Sequence, residues 1–365
     1  MSDKVRMLAI ERPGVATLVD TEPTPVSDGR FCVDTHYSGL SAGTELTFHK
    51  GTNPYLHAAW DREHGIFRDD RPAQIYPVTA LGYMEVGEVR ESRSDAVREG
   101  ELVAMAYGHR TNHVADPVKE HFIVLPDDLD PILGIYVAHM GPICANGLLH
   151  AAADAVRGDV VRLGDGVRGR LVVVTGVGVV GLLTGAFAKL HGAAEVVAVD
   201  RSPERLAAAA ALGLDVLDER DGDVAERIKA RWRHGPADRG ADVVFQCRGR
   251  SAYLALALRS LRPQGTVIDL AFYQGGADDV RLGEEFHHNG LTVRCAQISR
   301  VPRGLGHLWD RRRLSLETVE LLRAHGATLR KCVITDVMSL EQAPALLDDL
   351  ASRRRHVIQA VFEMQ

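Results

Sequence analysis

At 365 residues, with 45% hydrophobic and 25% charged content, the chain can bury full cores. A prior of roughly 150 residues per domain predicts about two domains. A net charge of −6 argues against nonspecific nucleic-acid binding, which needs a basic face. The five cysteines (Cys32, Cys144, Cys247, Cys295, Cys332) are scattered with no CxxC, which predicts free thiols rather than a disulfide framework or zinc ribbon. With no apolar run behind a basic N-terminus, a cytoplasmic protein without a signal peptide is expected.

Taken in order, residues 1–140 read as β-rich. Strands are predicted at 5–10, 16–19, 31–37, 84–89, 102–107 and 121–125, between Gly, Pro and Asp turns. The stretch 47–77 carries His49, His57, His64, Trp60 and Phe67 without a regular period. Loops this long are uncommon unless functional or disordered, and its aromatics argue for order. From about residue 138 the pattern changes. A helix at 142–153 and a turn at 158–169 lead to the stretch on which the chain is organised, LVVVTGVGVVGLLTGAFAKLHGAAEVVAVD, residues 171–200.

That stretch reads strand, glycine turn, helix, strand, acid, the order of a dinucleotide-binding βαβ unit. In Gly176-Val177-Gly178-Val179-Val180-Gly181, Gly176 allows the sharp turn and Gly178 lets backbone N–H groups approach a pyrophosphate. Gly181 lets helix and strand pack closely, and the helix N-terminus favours phosphate. Asp200, 19 residues past Gly181, is placed to accept the ribose hydroxyls, with Arg201 expected against the adenine. Residues 171–188 are uncharged and long enough to suggest a membrane helix. Four glycines with Val-rich flanks fit a buried strand and turn better, so no membrane span is expected. Beyond Asp200 the pattern predicts helices at 202–212, 224–232 and 251–261, and strands at 241–246, 266–272 and 291–297. Helices at 315–324 and 340–351 and a strand at 357–362 close the chain. Ser202, Pro203 and Gly213 supply the cap, first position and stop of the first of these helices.

The landmarks Ser38-Gly39-Leu40-Ser41-Ala42-Gly43-Thr44-Glu45, Gly82-Tyr83-Met84-Glu85-Val86-Gly87, Gly176–Gly181 with Asp200, Gly240–Cys247 and Leu261–Thr266 occur in one order over nearly the whole chain. In that order they resemble the medium-chain dehydrogenase/reductase family of alcohol and polyol dehydrogenases. The resemblance implies an α/β chain: a β-rich GroES-like catalytic domain at 1–140, completed by 298–365, and a Rossmann nucleotide-binding domain at 141–297. It also implies NAD as cofactor, Cys247, Ala271 and Phe272 near it, and a homodimer paired through the strand at 291–297.

The departures from that family carry as much information. The position of the family's zinc-binding cysteine falls on Ala42, that of its zinc histidine on Tyr83, and that of its third ligand near Gly141-Pro142. The four-cysteine lobe is replaced by Gly108-His109-Arg110-Thr111-Asn112-His113. Zinc needs Cys, His, Asp or Glu at ligand distance, so a zinc-free branch with no metal is expected. Nine of the 16 histidines fall within 31–150. The pairs His109/His113 and His57/His64 are alternative metal candidates, though neither has a recognisable third ligand. Arg300, Arg303 and Arg311–Arg313 could grip an anionic substrate or simply face solvent.

Without zinc, hydrogen-bond donors must stabilise the developing alkoxide. The resemblance places Thr44 at the relay position and Tyr83 and Glu45 beside the vacated metal position. His49 and Lys50 could assist Tyr83, or Tyr83 could simply fill the hole. The expected activity is NAD-dependent hydride transfer on a secondary alcohol or ketone, of polyol, sugar or cyclitol type, with a small-molecule substrate and no nucleic-acid or membrane partner. A quinone or enoyl reductase of the same family and a non-catalytic nucleotide-binding sensor or scaffold are the alternatives.

Overall fold

A computed structural model describes residues 4–156 and 158–364. The chain forms two compact units, residues 1–139 with 334–365, and residues 140–333. The first opens with the antiparallel pair β1 (Val5–Arg12) and β2 (Val15–Thr21), then β3 (Phe31–Gly39) and helix α1 (Ala42–His49). A small hairpin, β4 (Ala59–Asp61) and β5 (Ile66–Arg68), precedes β6 (Glu85–Ser92), β7 (Leu102–Met105), β8 (Asn112–Ala115) and β9 (Ile123–Val124). Alternation along these strands turns Phe31, Val33, Val89, Val103, Met105 and Ala115 into one buried cluster.

The stretch 47–77 is therefore more regular than its sequence pattern predicts. It holds the end of α1, a short 3₁₀ turn at Pro54–Leu56 and the hairpin. Helix α1 was hidden because Gly43, Thr44 and Thr47 are poor helix formers. It is held by packing, with Phe48 in a core beside Leu8, Ile10, Leu81 and Phe362.

The second unit begins with α2 (Met140–Ala155). It continues with β10 (Leu171–Thr175), α3 (Val179–Leu190), β11 (Glu195–Asp200), α4 (Pro203–Ala211) and β12 (Asp215–Asp218). Next come α5 (Val224–Arg231), β13 (Ala241–Gln246), α6 (Ser251–Ser260), β14 (Leu261–Asp269), β15 (Thr292–Cys295) and α7 (Arg311–Cys332). Its six strands are all parallel, in the order β12-β11-β10-β13-β14-β15. This is the doubly wound Rossmann order, with the switch point between β10 and β13. The buried run Val172, Val173 and Val174 confirms the strand reading of 171–175. No helix among the described residues is long and apolar enough to cross a membrane.

The chain returns to the first unit through β16 (Ile334–Ser339), α8 (Ala343–Ala351) and β17 (Gln359–Glu363). β17 lies antiparallel to β3 and completes a seven-stranded sheet, β16-β17-β3-β6-β7-β9 with β8 also on β3. The expected domain limit at residue 298 is corrected to Val333. The reason is α7, predicted as a short helix at 315–324 but 22 residues long. It buries Leu314, Val319, Leu321, Leu322 and Leu329 within the second unit and packs on α2 and α3.

Candidate functional site

In the second unit the glycine turn follows β10 as expected. Gly176 has φ +82°, a left-handed conformation that favours glycine, and a Cβ there would lie 2.6 Å from Arg248 Cβ. A Cβ on Gly181 would lie 2.1 Å from the Gly176 carbonyl oxygen, so the helix can approach the turn only without one. Gly178 differs: a Cβ there would meet nothing within 4 Å. Its bare backbone opens to ligand space at the N-terminus of α3, where it stands as the N-cap. Val179 and Val180 follow as the first residues of α3, while the Val177 N–H is donated to Asp200 (3.0 Å).

Asp200 is placed differently from expectation. It is 1% exposed, and its carboxylate accepts the N–H of Val177 (3.0 Å), Arg201 (2.8 Å) and Ser202 (3.0 Å). It thus ties the end of β11 to the glycine turn. Three of its roughly four acceptor sites are used, so it offers ribose at most one hydrogen bond rather than two. Three arginines surround this corner, each with a partner. Arg205 lies 3.7 Å from Asp200 and Arg201 3.9 Å from Glu219, so Arg201 is turned to an acid. Arg248 lies over the Tyr253 ring at 4.3 Å and donates to its hydroxyl.

Cys247, Ala271 and Phe272 all come just beyond the C-terminal ends of β13 and β14, on the edge that carries the glycine turn. Cys247 N–H donates to Thr175 O (2.9 Å), and Phe272 is exposed. A brace that the sequence does not signal joins these strand ends. Thr175 and the Arg248 N–H donate to Gln246 Oε1, Gln246 Nε2 donates to the Tyr273 hydroxyl (2.7 Å), and that hydroxyl donates to Asp269 (2.9 Å). Burial pushes the Asp269 carboxyl up.

In the first unit β3, α1 and β6 bring together Thr44, Glu45 and Tyr83, along with Ser38, Ser41, Glu85 and His109. The Tyr83 hydroxyl pairs closely with Ser41 Oγ and lies 3.4 Å from Thr44 Oγ1. Its ring packs on His139 at 4.6 Å. Burial pushes the phenol up, against the Ser41 and Thr44 hydroxyls that draw it down. Tyr83 is therefore a protonated donor at neutral pH. His49, expected to assist Tyr83, is engaged elsewhere: it is buried with Nε2 3.0 Å from Asp348 on α8. Four residues past Glu45, it lies at the C-terminal end of α1, where α8 packs.

Behind Tyr83 lies a buried polar cluster. His109 Nε2 is 2.6 Å from Glu45 Oε2, and its Nδ1 is 2.6 Å from Ser38 Oγ. Ser38 Oγ donates to Glu85 Oε1 (2.9 Å), and Glu45 Oε1 accepts the Ser41 N–H (2.7 Å). Burial alone would push the imidazole down. The Glu45 and Glu85 carboxylates more than reverse this, so His109 sits above its ordinary value. Glu85 is raised by burial, which outweighs the opposing His109 charge and backbone N–H bonds. Gly82 makes room for the cluster: with φ +91°, a Cβ there would lie 2.9 Å from both Glu85 Oε1 and His109 Cε1.

The residues at the three positions that the resemblance assigns to zinc offer it few ligand atoms. Ala42 brings no ligand atom, and the Tyr83 hydroxyl is committed to Ser41. A Cβ on Gly141 would lie 2.1 Å from Thr318 Cγ2, leaving no room there for a thiolate or carboxylate. In the alternative histidine pairs, His113 bonds Glu120 (2.7 Å) and His64 bonds Asp61 (2.9 Å). Among the described residues no group of three His, Cys, Asp or Glu is gathered as metal ligands. Arg313 stacks over Trp309 and donates to the Leu308 and Val161 carbonyls, a structural use at the start of α7.

Residues 179–304 match the sequence model of the zinc-binding dehydrogenases. That match lies in the nucleotide-binding part and includes none of positions 42, 83 and 141. The D-guloside 3-dehydrogenase of Shigella flexneri is 27% identical over 333 residues, 87% of this chain and 88% of its own. The alcohol dehydrogenase TADH from Thermus sp. ATN1 superposes with a TM-score of 0.74 at 18% identity, covering 99% of this chain and 100% of its own. The alcohol dehydrogenase rspB from E. coli CFT073, complexed with NADH, does so at 0.72 and 14%, covering 99% and 100%. Along residues 179–304 the chain is thus similar to the zinc-binding dehydrogenases, and over most of its length to a D-guloside 3-dehydrogenase, on the fold that alcohol dehydrogenases share.

Proposed function

We propose that the chain is a zinc-independent, NAD-dependent oxidoreductase acting on a secondary alcohol/ketone pair of a sugar, polyol or cyclitol, with glycosides the substrate class to test first. The observation that supports this is the Tyr83 hydroxyl held by Ser41 and Thr44, at the position to which the resemblance assigns the family's zinc histidine. A bound nicotinamide would supply or take the hydride. Tyr83 would give its proton to the carbonyl oxygen in reduction, and in oxidation its phenolate would take the proton of the substrate hydroxyl as the hydride leaves, with the Ser41 and Thr44 hydroxyls stabilising that charge. The glycoside class is suggested by the relative that acts as a D-guloside 3-dehydrogenase.

The preference for NAD over NADP rests on charge. With Asp200 taken as the ribose-end acid, Arg201 and Arg205 are each set against an acid, so a 2′-phosphate would find little spare positive charge. A cytoplasmic homodimer through the β15 edge belongs to the same reading.

The deciding experiment is an NAD-reduction screen over methyl glycosides, polyols and cyclitols, with zinc measured on the same sample. Turnover with no stoichiometric zinc, unchanged by chelator, is expected. About one zinc per chain would overturn the metal-free reading. Turnover only with enones or quinones would move the protein to the C=C reductases of the family.

A further inference from the structure

The polar cluster behind Tyr83 is not needed to explain the fold. Glu45, Glu85, Ser38 and His109 are each 2% exposed or less. A buried ionic cluster is weak support for stability, because apolar residues of like volume often do as well. What the cluster uniquely provides is orientation, and bond counting shows how. Ser38 has one hydroxyl hydrogen, and it goes to Glu85 Oε1. Ser38 Oγ must then accept from His109 Nδ1–H. One proton remains between His109 Nε2 and Glu45 Oε2, 2.6 Å apart. Whichever atom holds it, the contact persists and leaves Glu45 Oε1 aimed at the Ser41 N–H. Ser41 in turn supplies the hydroxyl that pairs with Tyr83.

We propose that His109 is a positioning residue for the Tyr83 hydroxyl, acting through Glu45 and Ser41 and locked on its far side by Ser38 and Glu85. This rests on Tyr83 being the donor to the substrate oxygen. The path from Glu45 to Tyr83 crosses a backbone N–H, which does not release its proton, so the cluster orients rather than relays. The groups facing His109 are Ser38 from β3, Glu45 from α1, Glu85 from β6 and the near-perpendicular Phe362 ring from β17, its centroid 5.1 Å from that of the imidazole. Glu85 is itself held by the Tyr107 N–H (2.8 Å). A cluster anchored from β3, α1 and β6 can fix one hydroxyl to the few tenths of an ångström that a transition-state hydrogen bond requires.

The test is a double-mutant cycle of His109→Asn and Ser41→Ala in the full chain, with Tyr83→Phe as control, assayed with NAD and the best methyl glycoside. His109→Asn should lower kcat roughly tenfold and leave KM for NAD unchanged, because the dinucleotide cradle is in the other unit. The double variant should be no slower than Ser41→Ala alone, the signature of action through one path. Because the Ser41 hydroxyl draws the Tyr83 phenol down, His109→Asn should also move the alkaline limb of the kcat profile upward. Losses that multiply, or a lower Tm with unchanged kcat, would overturn the proposal. If His109→Asn does not fold, Ser38→Ala, which releases Nδ1, takes its place in the cycle under the same criteria. Tyr83→Phe at full activity would instead sink the functional reading itself. A slow Tyr83→Phe with additive His109 and Ser41 effects sinks only this inference.

Discussion

Tyr83 and Thr44 carry the residue-scale prediction. Tyr83→Phe or Thr44→Val should cut kcat by a factor on the order of 10², with dinucleotide affinity nearly intact, the range for one lost acid–base or oxyanion group. Burial raises the phenol above its ordinary value of about 10. Reduction should therefore hold its rate through neutral pH and fall only in the alkaline range; a drop centred near pH 7 would point to a histidine instead. A second prediction concerns thiols. Cys144 is fully buried and its thiol is pushed up to about 12 by burial, while Cys295 is exposed. Iodoacetamide on the native protein should leave Cys144 and Cys32 untouched until unfolding, as read by peptide mass mapping.

Two glycines a few residues apart separate folding from binding at the scale of the element. Gly181→Ala must push a methyl into the Gly176 carbonyl, so both Tm and dinucleotide affinity should fall. Gly178→Ala meets no protein atom. Its Tm should stay within about 1 °C of the parent, because surface-type changes cost under ~0.5 kcal/mol, while NAD affinity drops at least tenfold as the methyl blocks backbone approach to the pyrophosphate. Equal affinity in both variants would remove the turn from the cofactor site. β15 is the exposed edge of the parallel sheet, with Val293 40% exposed, and such an edge is a liability unless covered. Light scattering should show a dimer, and Val293→Lys should convert it toward monomer.

For the whole molecule, acid stability follows from surface carboxylates that arginines and backbone N–H groups hold down. Asp218 lies at about 2, held first by the Arg220 guanidinium, and Asp238 is lowered by Arg262. Groups lowered in this way stabilise the fold above the unfolded carboxylate value of about 4 and lose that contribution as pH falls toward 2. Chemical denaturation midpoints should therefore be flat from neutral pH down to about 5 and decline below it. Solvent screening keeps each exposed pair small, so a sharp collapse above pH 5 would implicate the buried Glu85–His109 cluster.

The sequence by itself determined the dinucleotide unit, the doubly wound sheet and the β-rich first unit. Each rests on a local code: β-branched runs, φ-positive Gly176, and Ser202 and Asp223 accepting helix N–H groups as caps. It also brought Thr44, Glu45 and Tyr83 forward through their resemblance. Only the tertiary structure decided what those residues touch. Helix α1 has weak intrinsic propensity and exists because Phe48 packs in a core. His49 turned to Asp348 on α8, far along the chain. His109 reached Glu45 across 64 residues, and Ser38 met Glu85 across 47. Asp200 spent its oxygens on backbone N–H groups that only the folded turn brings to it. The physical reason is common to all of these. Turns and periodic faces are set by neighbours in sequence, whereas a buried polar group takes whichever partner the closed core delivers, and it must take one because an unmet charge there is too costly.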